Sequence, residues 1–256
     1  TVSVAMAQGA RRLAPRRHPR ARIRLRRAMA TDTVVSNKGW LRALAMMPIP
    51  PHSGIYKLHL QTKETIGSLS VRESVRLPTG LDRDEWIASQ LCGIFEELEH
   101  LVNVMEDVCN EDTCPRMSAG KCVQYSWADE RHTAPRALSA PEYMRTLIVY
   151  AEERLGDRKV VPIDGSAFPP EFMHMVKTLC KRFFRVYAHT YLSHFQVIQE
   201  QGAEGHLNCN FKHFLYFVLE FDLVGKQDMS PLAELIKMFL ETDDRNRTKG
   251  KAKSEK

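Results

Sequence analysis

The sequence contains no uninterrupted run of about 18 apolar residues, the length that a membrane-spanning helix needs. It also lacks an apolar signal segment, so its six cysteines are not expected to form a disulfide framework. The His-Glu-x-x-His motif of zinc enzymes is absent as well. These absences exclude a membrane span and argue against zinc catalysis. They predict a soluble intracellular protein of a reducing compartment, in the cytoplasm or the nucleus.

Acidic residues are missing from residues 1–31, which contain nine arginines. We interpret residues 1–50 as a basic, Arg-rich, disordered N-terminal extension. A mitochondrial transit peptide and a patch for nucleic acid or anionic lipid are the alternatives. Residues 32–242 carry 22 basic and 28 acidic residues, so nucleic acid is not an expected partner of the folded part. Residues 243–256, with six basic and three acidic residues, are predicted to form a basic flexible tail.

The remaining chain has enough apolar residues for one core, since 43% of the 256 residues are hydrophobic. We assign residues 51–242 to one folded domain. Apolar residues recur there at spacings of three and four, the pattern of amphipathic helices. The predicted helices run from Asp82 to the first cysteine of the central pair, and over about 139–155, 171–199, 207–221 and 230–240. The predicted fold class is therefore an all-α bundle with one long irregular loop.

Two helix starts have the sequence of a capping box. Asp82 is followed three residues later by Glu85, and Ser139 is followed three residues later by Glu142. Between these helices, residues 110–137 lack helical periodicity and contain a candidate short hairpin at 123–127. A loop of this length inside a compact domain needs an anchor, and a metal ion at its root would supply one.

Cys109 and Cys114 stand at the root of this loop, and His189 and His194 share a later predicted helix. Two thiolates and two imidazoles are the ligand set of a closed tetrahedral zinc site. Such a site leaves no position for water or substrate, so we expect one structural Zn²⁺. Cys122 is the alternative fourth ligand.

The spacing of the two histidines sets a condition on their helix. Residues five apart on a straight α-helix point about 140° away from each other, which separates the two rings. The pair converges only if the helix bends or bulges, and we predict this irregularity between Thr190 and Ser193.

A basic cluster lies on the same helix. Lys181 and Arg185 are four residues apart and Arg182 is three residues before Arg185, so their charged groups can converge on one face. Three cations on an acidic domain suit a phosphate group. The alternative interpretation is a solvated helix face.

Motifs along most of the folded domain resemble the Mob (Mps-one-binder) kinase activator family, and more closely its NDR/LATS-kinase-partner branches than its phocein branch. The motifs are Asp84-Glu85-Trp86-Ile87-Ala88, Cys109-Asn110-Glu111-Asp112-Thr113-Cys114-Pro115, Met117-Ser118-Ala119-Gly120, Tyr125-x-Trp127-Ala128-Asp129, Ser139-Ala140-Pro141-x-Tyr143, Phe183-x-Arg185-Val186-Tyr187-Ala188-His189 and Phe211-Lys212-His213-Phe214.

The resemblance implies a Mob-type helical bundle whose loop is pinned by zinc at the two cysteines and two histidines. It implies no catalytic activity and no small-molecule substrate. The implied function is that of a kinase co-activator, which binds the N-terminal regulatory helices of an NDR/LATS-type AGC kinase. It also implies binding of a phosphothreonine peptide from an upstream Ste20-type kinase or scaffold by Lys181, Arg182 and Arg185.

The kinase-binding face implied by the resemblance comprises Asp82, Glu85 and Trp86. The activator branch has acidic residues where this chain has Leu81 and Gly93, so we expect weaker attraction to a basic kinase segment. A phosphopeptide-binding scaffold adaptor without kinase activation is therefore the alternative function.

The resemblance also implies a regulatory phosphorylation site. Thr65 stands where the activator branch carries a regulatory threonine. Phosphate there adds about −1.5 to −2 charge and is expected to release an inhibitory N-terminal segment.

Overall fold

The computed structural model describes residues 71–162 and 166–254, with side chains as far as Arg245. The Arg-rich extension, the predicted start of the domain and Thr65 lie outside the described residues. The described part is mostly helical, which confirms the predicted all-α class. None of its helices is both long and apolar enough to cross a membrane.

The helices are α1 Val71–Ser74, α2 Arg83–Met105, α3 Ala140–Leu155, α4 Phe172–His189, α5 Phe195–Glu200, α6 Glu204–Glu220 and α7 Ala233–Ser254. A π-helical turn, Thr190–His194, joins α4 to α5, and a 3₁₀ turn, Ser230–Leu232, precedes α7. Four two-residue strands lie between α2 and α3, namely β1 Ser118–Ala119, β2 Val123–Gln124, β3 Ser126–Trp127 and β4 Arg136–Ala137.

The core forms where α2 packs against α3 and α6, and where α3 packs against α4. Apolar residues at helical spacing bury one face of α4, including Phe183 and Phe184. The Tyr187 ring lies 5.2 Å from the rings of both Phe211 and Phe214 on α6, which joins the two helices through aromatic contacts. This packing fixes α4, the helix that carries both the basic cluster and the first histidine.

Both predicted N-caps are confirmed. The Asp82 carboxylate accepts hydrogen bonds from the backbone N–H groups of Asp84 and Glu85, each at 3.0 Å. The Ser139 hydroxyl accepts one from the backbone N–H of Glu142 at 3.3 Å. These bonds satisfy N–H groups that have no partner within a helix, so the caps set where α2 and α3 begin.

The loop between α2 and α3 differs from its predicted form. Residues 123–127 do not form one hairpin, because they contribute to two separate pairs. Strand β2 pairs with β1, and β3 pairs with β4, both antiparallel. The backbone N–H of Ala140 also donates to the carbonyl of Cys114 at 3.0 Å. The start of α3 is thereby fastened to the turn that carries the second cysteine.

The C-terminal helix is longer than predicted. Helix α7 continues to Ser254, so the predicted end near Leu240 is wrong, and residues 243–254 belong to this helix. The flexibility of this segment stays a prediction. Tertiary contacts explain the difference. Asp243 accepts hydrogen bonds from Lys212 Nζ and Tyr216 Oη, both at 2.7 Å, and Asp244 pairs with Arg72 at 3.1 Å.

Candidate metal centre and basic pocket

Four buried side chains meet beside the loop. Cys109 and Cys114 follow α2, His189 is the last residue of α4 and His194 is the last residue of the π-helical turn. Their ligand atoms all lie within 4.8 Å of one another. The sequence predicted this convergence, and the structure confirms it. Cys122 is exposed and is not among the four, so the alternative fourth ligand is wrong.

Three of the six separations between ligand atoms match those around a tetrahedral ion. Cys109 Sγ lies 3.5 Å from His189 Nε2, and Cys114 Sγ lies 3.3 Å from His194 Nε2. The two Nε2 atoms are 3.3 Å apart. Bonds of about 2.3 Å to sulfur and about 2.0 Å to nitrogen at tetrahedral angles give separations of about 3.3–3.5 Å for these pairs. The residues therefore fit a single metal ion between them.

The π-helical turn brings the two histidines together. Its hydrogen bonds skip one more residue than those of an α-helix, so residues five apart come to lie on one face. The turn covers Thr190–His194, which confirms the irregularity predicted from the spacing. The Thr190 hydroxyl donates to the carbonyl of Val186 at 2.9 Å, a bond that often accompanies a bend in a helix.

The protein fixes the orientation of one imidazole. His189 Nδ1 lies 2.8 Å from the carbonyl oxygen of Ser118 in β1, and a carbonyl can only accept. The proton therefore resides on Nδ1, and the Nε2 lone pair faces the thiols. This is the arrangement that metal-binding histidines normally have.

Burial and mutual proximity shift the pKa values of Cys109, His189 and His194 toward their uncharged forms. Burial lowers the pKa of His189, while burial and the charge of His189 lower the pKa of His194 to about 4. Burial and the neighbouring Cys114 raise the pKa of Cys109 to about 12. A bound cation would instead favour ionised cysteines, because it stabilises their thiolates directly. The cluster is thus suited to hold a metal ion as a closed, structural centre.

The three basic residues of α4 have different environments. Lys181 and Arg185 line a small pocket of about 180 Å³, together with Tyr125, Asp228 and Ser230. Lys181 Nζ lies 3.0 Å from Asp228 Oδ2. Arg185 donates to the Tyr143 hydroxyl at 3.0 Å, and its guanidinium lies 4.9 Å from the Tyr125 ring.

Arg182 does not line this pocket. Its guanidinium lies 4.1 Å from the Trp127 ring and 4.3 Å from the Tyr150 ring, and it donates a hydrogen bond to the carbonyl of Ala128. Arg182 thus joins α4 to β3 and α3. The charged groups of Lys181 and Arg185 therefore share one pocket, and that of Arg182 lies outside it. Phosphate binding by these three residues stays a prediction.

The residues of the predicted kinase face have contacts within the domain. Asp82 caps α2, as described above. Trp86 is half-buried against the core, and its indole N–H donates to the carbonyl of Val75 at 2.9 Å. Glu85 is half-buried in the first turn of α2. These contacts give Asp82 and Trp86 a structural role, and kinase binding by all three residues stays a prediction.

The structure adds residues that the sequence did not point to. Tyr125 and Asp228 join the pocket, and Tyr150 stacks on Arg182. Tyr125 had a signal, since it stands in the Tyr125-x-Trp127 motif of the loop. No sequence pattern pointed to Asp228, because it lies in the segment after α6 and only the fold brings it close to Lys181.

Comparisons with known proteins agree with this architecture. The model of the Mob1/phocein family matches residues 63–232. A MOB kinase activator-like 1 homolog A of Dictyostelium discoideum is 42% identical over 188 residues, 72% of this chain and 88% of that relative. The maintenance of ploidy protein mob1 of Schizosaccharomyces pombe is 36% identical over 183 residues, 71% of this chain and 87% of that relative. A MOB kinase activator-like 1A of Arabidopsis thaliana is 43% identical over 178 residues, 69% of this chain and 83% of that relative. With its helical core and its Cys₂His₂ cluster, the chain belongs to the Mob1/phocein family.

Proposed function

We propose that this protein is a non-catalytic kinase co-activator that binds the N-terminal regulatory helices of an NDR/LATS-type AGC kinase. The observation that carries the proposal is the match to relatives named MOB kinase activators over about 70% of the chain. The acidic charge of residues 32–242 supports it, because it attracts a basic partner segment. The closed Cys₂His₂ cluster supports a structural rather than a catalytic centre.

The metal proposed for the cluster is one structural Zn²⁺. A set of two thiolates and two imidazoles suits zinc better than the hard cations magnesium and calcium, which prefer oxygen. Zinc would hold the turn after α2 against the end of α4. It would thereby fix the loop whose residues Tyr125 and Trp127 contact Arg185 and Arg182.

A phosphothreonine peptide of an upstream Ste20-type kinase or scaffold is the second proposed partner. Lys181 and Arg185 line one pocket and would bind the phosphate directly. Arg182 would support the pocket from behind through Trp127, which stands next to Ser126, a residue whose carbonyl faces Arg185.

Kinase binding is tested by titrating the full chain with the N-terminal regulatory segment of an NDR-type kinase from the same organism. We expect a Kd of about 1 µM or lower, which rises with salt because the contact joins opposite charges. Glu85→Lys should weaken binding about tenfold, since it places a cation on the proposed face. The measurement is fluorescence anisotropy of the labelled segment.

The matched control for this titration is Asp107→Lys. It makes the same change of charge at an exposed position just beyond the other end of α2. Equal weakening by both variants would show only a general charge effect. Absence of binding by the unchanged protein would reject the co-activator proposal.

The alternative function is a phosphopeptide-binding scaffold adaptor that does not activate a kinase. Leu81 and Gly93 favour it, because the activator branch is acidic at both positions. A side chain fits at Gly93, since a Cβ there meets no atom within 4 Å. If the co-activator face is weakened but intact, Leu81→Asp combined with Gly93→Glu should tighten kinase binding about tenfold in the same titration. No gain would favour the adaptor.

We propose a cytoplasmic or nuclear location, where a reducing environment keeps the two cysteine ligands as free thiols that can bind a metal. Regulation by phosphorylation of Thr65 also stays a proposal.

A further inference from the structure

An acidic side chain lies in the proposed phosphate pocket. Asp228 belongs to the segment between α6 and the 3₁₀ turn, and its Oδ2 is 3.0 Å from Lys181 Nζ. The two side chains are 40% and 46% exposed, so both can move without disturbing the core. The carboxylate thus engages the ammonium group that an incoming phosphate oxygen would bind, and takes up one of its three donors.

Two further side chains of the pocket, Arg185 and Tyr125, offer hydrogen-bond donors. Arg185 has only neutral oxygens among its observed hydrogen-bond partners, the Tyr143 hydroxyl and the Ser126 carbonyl. The Tyr125 hydroxyl is buried and has no hydrogen-bond partner among the described residues. Burial raises the pKa of Tyr125 to about 12, so this hydroxyl keeps its proton at neutral pH. Arg185 and Tyr125 therefore have no anionic partner in the described part of the pocket and can donate hydrogen bonds to an incoming anion, whereas Lys181 already pairs with Asp228.

We propose that Asp228 is an internal competitor for the phosphate site, which occupies Lys181 in the free protein and must be exchanged when a phosphopeptide binds. The inference rests on the proposed phosphopeptide function of the same pocket. It adds a determinant of affinity on a segment outside the basic cluster.

The charges of the pocket favour an exchange with phosphate. Lys181, Arg185 and Asp228 together carry a net charge of one positive unit, while a phosphothreonine carries about −1.5 to −2. An ion pair as exposed as that of Lys181 and Asp228 is weak, so phosphate can replace it. The displaced carboxylate remains close to the bound anion and repels it. The broken ion pair and the repulsion by Asp228 both lower the affinity of the pocket for phosphate, but they do not abolish binding.

The test uses the full chain and short fluorescent peptides with a fixed central phosphothreonine and mixed residues on either side. The same mixture with unmodified threonine gives the background. We expect Asp228→Asn to bind the phosphopeptides about tenfold more tightly than the unchanged protein. Its affinity should also fall more steeply with salt, because binding no longer breaks an internal ion pair.

Two variants separate competition from other effects of the substitution. Glu220→Gln removes a carboxylate from an exposed position on α6 that does not line the pocket, and it should leave the affinity unchanged. In a Lys181→Ala background, Asp228→Asn should gain much less than in the unchanged protein, because the pair no longer exists. Melting temperatures of all variants check that each is folded.

The outcomes distinguish this inference from the proposed function. Tighter binding by Asp228→Asn alone supports competition, including the case in which the unchanged protein binds too weakly to measure. If the unchanged protein binds phosphopeptides and Asp228→Asn binds them equally or more weakly, the competition is rejected and the phosphopeptide function stands. If neither protein prefers the phosphorylated mixture, both are rejected.

Discussion

Cys109→Ser and His194→Ala should each lose the bound metal and melt about 10 °C or more below the unchanged protein. Structural zinc contributes its binding free energy to folding, and removal of one of four ligands weakens that contribution by several kcal/mol. For a domain of this size, each kcal/mol corresponds to about 2–4 °C. The measurements are metal content by mass spectrometry and thermal unfolding followed by circular dichroism.

The large effect follows from where the ligands lie. The cluster joins the end of α2 to the end of α4, and Ser118 of the loop contacts His189. Loss of the ion would leave buried thiols and imidazoles close together with nothing between them. The matched control is Cys122→Ser, which removes an exposed thiol outside the cluster and should change neither metal content nor melting temperature. A Cys109→Ser protein that keeps one equivalent of metal and its melting temperature would contradict the assignment.

Arg182→Ala should lower the free energy of unfolding by about 2–4 kcal/mol. Its guanidinium packs against both the Trp127 ring and the Tyr150 ring and donates to the Ala128 carbonyl, and each of these contacts stabilises a partly buried cation. Arg182→Lys should recover only part of the loss, because an ammonium group lacks the planar, delocalised guanidinium that packs against both rings. Urea unfolding followed by circular dichroism measures the change.

Lys181→Ala is the contrasting variant on the same helix. Its ion pair with Asp228 is exposed, so stability should change by less than about 1 kcal/mol. Phosphopeptide binding should nevertheless fall strongly in Lys181→Ala, because a proposed direct ligand of the phosphate is lost. For Arg182→Ala, a free energy of unfolding equal to that of the unchanged protein would show that the contacts of Arg182 with the two rings do not stabilise the domain.

Much of the candidate metal site could be predicted from local sequence. Two cysteines and two histidines suggested the ligand set, and the five-residue spacing required an irregular helix, which the π-helical turn of Thr190–His194 supplies. Asp82 and Ser139 marked helix starts because capping depends on residues only two or three positions apart. These features involve neighbours in the sequence, so the pattern of residues contains the information.

Other features depend on residues far apart. The two short strand pairs of the loop join residues whose pairing no local pattern specifies. The C-terminal helix extends past Leu240, and Asp243 on it contacts Lys212 and Tyr216 of α6. The sequence of residues 243–256, considered by itself, is charged and lacks an apolar stripe, so it predicted a tail and not a longer helix.

The sequence alone determined the helical class, the ligand types of the candidate metal centre, the helix caps and the presence of a basic cluster on α4. All of these follow from residue chemistry and from spacings within a few turns. Only the tertiary structure decided that Arg182 and Lys181, both in the basic cluster, have different surroundings. Arg182 packs against aromatic rings contributed by β3 and α3, while Lys181 faces Asp228, a residue 47 positions further along the chain. Side chains that are neighbours on one helix acquire different environments because the elements packed against them come from distant parts of the sequence.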